Sequence, residues 1–134
     1  MVEKKTVFET LSKIKCDIKK KGRFNYVSWT EAWKEVKKIY PDTNFHVYSN
    51  EKGFPAFISS KAHVGAFVKV GITINKIEHI EYYPVTDNYN KAIDVDSLNV
   101  FAINTAIQRA KVKAIAHHGL GLYVYEGEDL PEEL

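Results

Sequence analysis

The sequence predicts an α+β domain, on three observations. Residues 66–74 alternate between two faces, and across Asn75-Lys76 they are followed by IEHIEYYPV, so the pair reads as a β-hairpin. Residues 103–121, INTAIQRAKVKAIAHHGLG, read as a long helix. Apolar residues also recur at helical intervals through the first forty positions. The chain has 134 residues, one domain's worth. Its hydrophobic fraction of 45% allows a sizeable core and does not mark a disordered chain.

In VFETLSKIKCDIKKK, the residues Val7, Leu11, Ile14 and Ile18 are spaced for a helix that Gly22 ends. Lysines 19–21 then fall in its last turn, at the negative end of the helix dipole. In FNYVSWTEAWKEVKKIYPD, Ser28 with Glu31 forms a capping box and Pro41 lies just beyond the end. Trp29 and Trp33 join Ala32, Val36 and Ile39 on its apolar face, as core or as a base-stacking platform.

Phe45 and Val47 alternate with polar neighbours in a first strand, and Lys52-Gly53 turns the chain. The long strand puts Ala66, Val68, Val70, Ile72 and Ile74 on one face and Phe67, Lys69, Gly71 and Thr73 on the other. Lys69 on its outward face and Lys76 in the turn suit either a basic ribbon along a nucleic-acid backbone or a half-solvated sheet.

Asp96 or Ser97 can cap the long helix, and Gly119 can end it. With Val100 at zero and about 100° per step, Ile103, Ile107, Ala110 and Ala114 share an arc of roughly 280–340°. Arg109 and Lys113 fall together at roughly 180° and 220°, flanked by Ala102 and Ala116. Lys111, at roughly 20°, sits on the edge of the apolar arc, where it must snorkel to water or meet an anion.

The net charge of +2 conceals an uneven distribution. Residues 1–40 hold 11 Lys/Arg against 5 Asp/Glu, and residues 41–91 hold 5 of each sign. Residues 92–125 hold 3 basic and 2 acidic residues, and residues 126–134 hold 5 acidic residues and no basic ones. The expected organisation is one domain over 1–125 and an acidic tail over 126–134. A basic body of +7 and a tail of −5 suit a polyanionic partner that the tail masks, or a solvated surface with a solubility tail.

No apolar run reaches the length of a membrane span. MVEKKTVFETL has no signal core or cleavage site, which predicts a cytoplasmic protein. The single cysteine, Cys16, excludes an internal disulfide and a Cys-rich zinc site. No P-loop and no G-x-G-x-x-G motif occurs, so nothing suggests ATP or dinucleotide binding. Histidines 46, 63, 79, 117 and 118 show no metal-ligand spacing. His117 and His118 near a helix C-terminus are accounted for by the dipole. Asp94 and Asp96 would share a face in an extended segment and could hold Mg²⁺; otherwise they are the N-terminal acids of the long helix.

Three blocks, FNYVSWTEAWKEVKKIYPD at 24–42, YPVTDNYNKAI at 83–93 and INTAIQRAKVKAIAHHGLGLYVYEGEDLPE at 103–132, resemble the phage single-strand annealing proteins of the Sak group. That group is related to the eukaryotic Rad-type annealing protein. With the strands between them, the blocks cover nearly the whole chain after Lys21, and the third is the most specific. The second carries Tyr89 where the family pattern has a variable, often basic residue.

The resemblance implies a twisted antiparallel β-sheet of about three to five strands, with a long C-terminal helix packed across it and two helices before it. It implies binding of single-stranded DNA without sequence preference and annealing of complementary strands, in phage homologous recombination. It implies no enzyme activity, no cofactor and no ATP requirement, with Mg²⁺ at most an aid to annealing. The implied assembly is a homo-oligomeric ring or helical filament, and a phage or host single-strand-binding protein or exonuclease is a partner it admits.

Carried onto this chain, the groove of the family nominates Arg109 and Lys113, then Lys111, with Asn88, Asn90 and Lys91 of the DNYNKAI block. Lys69 and Lys76 rest on strand geometry alone. The competing readings are a non-annealing single-strand-binding module, a Mg²⁺ nuclease on Asp94 and Asp96 or on Glu78 and Glu81, and a phage scaffold docking an acidic protein.

Overall fold

The computed structural model describes residues 5–21, 24–89 and 91–125. Asn90, Gly22 and the acidic tail 126–134, all singled out above, lie outside the described residues. Helix α1, Val7–Ser12, opens with a capping box. The Thr6 hydroxyl accepts from Glu9 N at 3.0 Å, and the Glu9 carboxylate accepts from Thr6 N. The helix stops nine residues short of the expected end.

Beyond α1 the backbone finds partners outside any helix. Cys16 N donates to the Tyr123 hydroxyl at 3.2 Å, and Asp17 N donates to the Glu31 carboxylate at 3.0 Å. These long-range bonds, with the burial of Cys16, override a periodicity that would have run on to Ile18. Lysines 19–21 are therefore not the last turn of a helix. They form strand β1, Lys19–Lys21, paired antiparallel with β2, Phe24–Tyr26.

Helix α2, Trp29–Ile39, starts where Ser28 accepts from Glu31 N at 3.2 Å, and Pro41 follows its C-cap. The return half of the expected box is replaced: the Glu31 carboxylate serves Asp17 N and pairs with Lys34 at 2.9 Å.

The main sheet contains β3 (Asn44–Val47), β4 (Phe57–Ile58), β5 (Ala66–Ile74) and β6 (Ile77–Pro84). β5 is central. β6 pairs along its whole length on one side, while β3 and β4 share the other, all antiparallel. Asn75 and Lys76 take φ of 50° and 69°, the two left-handed residues that a tight hairpin requires. The architecture is α+β with antiparallel sheets and a C-terminal helix, as expected. The separate β1–β2 ribbon and the shortened first helix differ from the expectation.

Helix α3, Val100–His117, is capped by Asn99, whose side chain accepts from Ala102 N at 2.9 Å. Asp96 and Ser97 do not cap it, because Val95–Ser97 form a 3₁₀ turn of their own. One face of α3 lays Ile103, Ala106 and Ala110 on Val68, Val70 and Val85. Farther along, Val112, Ala114 and Ile115 join Leu11, Ala32, Val36, Ile72 and Ile74. A single apolar arc therefore does not describe the helix: its second half is covered by the sheet on one side and by α1 and α2 on the other.

His118, just past α3, is buried, and its Nε2 donates to the Ile72 carbonyl at 2.7 Å. Burial pushes its pKa down, the Ile72 carbonyl partly opposes this, and His79 and His117 add to the lowering. The helix dipole would have favoured the charged ring, so the dipole explanation fails for His118. A group whose folded pKa is lowered binds a proton more readily when unfolded. Stability is thus complete above the ordinary histidine value of 6.5 and falls as the pH drops below it. Urea midpoints measured between neutral and acidic pH should decline, and His118→Gln should flatten that decline.

Gly119 follows with φ of +121°, and a Cβ there would sit 2.9 Å from the Phe8 carbonyl oxygen. Gly53 has φ of +79° with open space around it. Gly119→Ala should cost about 2–4 kcal/mol and Gly53→Ala about 1–2 kcal/mol, read from urea unfolding. Equal losses would mean that backbone strain alone, and not the crossing of α1 over the end of α3, fixes Gly119.

Candidate nucleic-acid interface

The two-sided burial of α3 leaves its cations only the seams between layers. One seam runs along β6. Arg109 Nη1 lies 3.5 Å from the Thr86 hydroxyl, and Lys113 Nζ sits 5.3 Å from the ring centroids of both Tyr83 and Tyr125. His117 Nε2 lies 3.6 Å from the Glu81 carboxylate. Helix positions i, i+4 and i+8 thus meet residues 86, 83 and 81 in turn, so three basic groups line up along the edge strand.

The line continues into the turn at 86–92. Thr86 bridges Ala92, and Asp87 Oδ1 accepts from Tyr89 N at 2.8 Å and Lys91 N at 3.0 Å. Asn88, Tyr89 and Lys91 are exposed on this turn, whose base is the Thr86 that Arg109 touches. The structure therefore sets Arg109 and Lys113 in one seam, with Asn88 and Lys91 exposed on the turn that begins at its end.

Lys111 occupies the other seam. Its Nζ is 3.8 Å from the Phe45 centroid and 5.3 Å from Trp29, and it has no ion pair among the described residues. Burial lowers its pKa. Rings of β3 and α2 supply the attraction that a counter-ion would otherwise provide. Trp29 is not a core residue here, being 41% exposed beside Lys111, whereas Trp33 packs on the core and meets Phe45 edge-on.

Lys69 lies on the sheet face away from α3, and Lys76 is exposed in the β5–β6 turn. Neither joins the β6 seam.

Three features were missed in the sequence. His117 extends the line of basic residues, and the i, i+4, i+8 spacing of Arg109, Lys113 and His117 was the available signal. Lys19 and Lys20 are exposed on the β1–β2 ribbon. No local signal in the sequence marked them as a strand, because three lysines before a glycine also suit a helix end. Gly121 packs against Val27 beside that ribbon and leads into the 3₁₀ turn Leu122–Tyr125, whose Tyr125 lies by Lys113.

The carboxylates of the nuclease reading are dispersed. Glu78 and Glu81 point to opposite faces of β6, one toward Tyr48 and the other toward His117. Asp94 faces His63 at 3.3 Å. Asp94 precedes the 3₁₀ turn Val95–Ser97 and Asp96 lies within it, so the two are not alternate residues of one extended segment, and neither is in the first turn of α3. No group of three or more potential metal ligands occurs among the described residues, and no described helix is long and apolar enough to cross a membrane.

Lys111→Met should fold and be neutral or slightly stabilising in a thermal melt, because the apolar side chain suits the aromatic seam. A loss of DNA binding or assembly in the folded variant, measured by anisotropy and light scattering, would assign Lys111 to a ligand or subunit contact.

One family model, described as Sak Single Strand Annealing Protein, matches residues 5–134. No curated protein and no solved structure matches the chain. The chain belongs to the Sak single-strand annealing protein family.

Proposed function

We propose that the β6 seam of α3 is a phosphate track for single-stranded DNA, and that the protein uses it to anneal complementary strands without ATP in homologous recombination. The observation that carries this reading is the line Arg109, Lys113, His117 along β6, running on to the turn that exposes Lys91. Phosphate contacts give affinity without sequence preference, and they leave base edges open for pairing.

One protomer offers only a few such contacts. A ring or filament of copies holding one strand multiplies them. Val100 and Phe101 at the start of α3 are exposed, Phe101 at 83%, as is Tyr89 on the 86–92 turn. Large apolar groups left uncovered on one end of a helix support contact between copies. The exposed Lys19 and Lys20 of the β1–β2 ribbon suit the same polyanion.

Arg109→Ala with Lys113→Ala tests the track. Alanine suits a helix, and circular dichroism should report a folded protein. Affinity for any single strand should fall about equally, and the slope of log affinity against log salt should drop by roughly 1.4, about 0.7 per lost phosphate contact. Annealing of two complementary oligonucleotides should fall at least as far as binding. A folded double variant that binds and anneals like the parent would mean that these cations serve something other than DNA.

A further inference from the structure

We infer that the outward face of the main sheet, opposite α3, is a second single-strand surface on which bases stack, built from Phe57, Phe67 and Tyr82 around Lys69. The inference rests on the single-strand reading above, and it places a different chemistry on a different face.

Strand register brings these residues together. Phe57 pairs with Phe67 and Lys69 with Tyr82, and all four lie on the face of β5 that α3 does not cover. The rings of Phe57 and Phe67 are stacked, 5.2 Å apart at 13°. Tyr82 meets Phe67 at 5.7 Å and 63°. Lys69 Nζ stands 4.4 Å from the Tyr48 ring and 5.7 Å from the Tyr82 ring. Phe67 is 40% exposed and Tyr82 56%, on positions where an antiparallel sheet normally shows polar groups to water.

The lysine is kept available. The Tyr48 hydroxyl donates to the Glu78 carboxylate at 2.8 Å. Glu78 lies directly over Gly71, where any Cβ would collide with that carboxylate. The Glu78 carboxylate is thus held by a tyrosine, and Lys69 pairs with no carboxylate among the described residues.

This combination fits a nucleotide better than a protein. An apolar partner would bury the Lys69 ammonium without a counter-charge, which is costly. A nucleotide brings a flat ring for the aromatic faces and a phosphate for the cation together. The chemistry also selects the strand state: a protein ring can stack only on a base whose face is free, and inside a duplex both faces of each base are covered by its neighbours. Stacking occupies the base faces and leaves the pairing edges free.

The test uses the full chain and two labelled oligonucleotides of equal length, one of dT and one abasic. The parent should bind dT more tightly than the abasic strand. Phe67→Leu with Tyr82→Leu keeps apolar area and strand compatibility but removes the rings. It should weaken dT binding roughly tenfold or more while leaving abasic binding and the salt slope unchanged. Arg109→Ala with Lys113→Ala should instead weaken both strands and lower the slope.

Equal binding of the two strands by the parent overturns the inference, as does unchanged dT binding by the leucine pair. Phe67→Ser with Tyr82→Ser that lowers the assembled mass in light scattering, without a base-specific loss, makes the face a contact between copies and overturns it as well. If only the leucine pair has an effect, the phosphate track fails and the stacking surface stands.

Discussion

Helix α3 packs between two layers, and most of the structure is arranged around that fact. The sheet takes Ile103, Ala106 and Ala110, while Val112, Ala114 and Ile115 pack in the cluster that joins Leu11, Ala32 and Val36 to Ile72 and Ile74. Alanine at positions 106, 110, 114 and 116 lets the layers approach closely, and bulk is supplied from the strands. A helix covered on two sides has no fully wet face in its second half. Long cationic side chains there can reach water only by lying along the junctions. Arg109, Lys113 and His117 take the junction with β6, and Lys111 takes the junction with α2 and β3. Their positions follow from packing before any ligand is considered.

The two junctions solve the desolvation problem differently. Along β6 the contacts among the described residues include the Thr86 hydroxyl, tyrosine rings and the Glu81 carboxylate, which are polarisable or polar. Beside α2 the partners are Phe45 and Trp29, and burial lowers the Lys111 pKa. A cation that already pays for partial desolvation through ring contacts gains less from a phosphate than one on the polar side. The β6 junction is therefore the stronger candidate for an anion, and it is also the one that runs into an exposed turn.

Much of this was legible in the sequence wherever the signal was local. The β5–β6 hairpin carries a period of two on both sides of Asn75-Lys76, and α2 is bracketed by Ser28 and Pro41. The i, i+4 pairing of Arg109 and Lys113 also survived into three dimensions. What failed depended on distant partners. The helical period of Val7 to Ile18 is real, but Tyr123 and Glu31 claim the backbone of Cys16 and Asp17. A helical wheel places Val112 and Ile115 away from the apolar arc because it has no knowledge of α2. Asn99 was passed over as the cap because Asp96 and Ser97 look equally good until the 3₁₀ turn is seen. The aromatic face of the sheet was visible as outward Phe67, but Phe57, Tyr48 and Tyr82 converge on Lys69 only through strand register.

An annealing protein faces a product problem that the two proposed surfaces would address together. A duplex carries twice the charge per unit length of one strand, and its affinity for a cationic track rises more steeply as salt falls, with a slope of about 0.9 per phosphate against about 0.7 for a single strand. A track built from Arg109, Lys113 and Lys91 alone would hold the product at least as well as the substrate. Turnover needs a favourable term that exists for single strands and vanishes on pairing. Base stacking on protein rings has this property, because pairing returns the base faces to one another. With such a term on the outer face, closing the duplex weakens the protein's hold at the moment the reaction is complete. On this proposal the free energy of pairing itself would displace the bases from Phe67 and Tyr82.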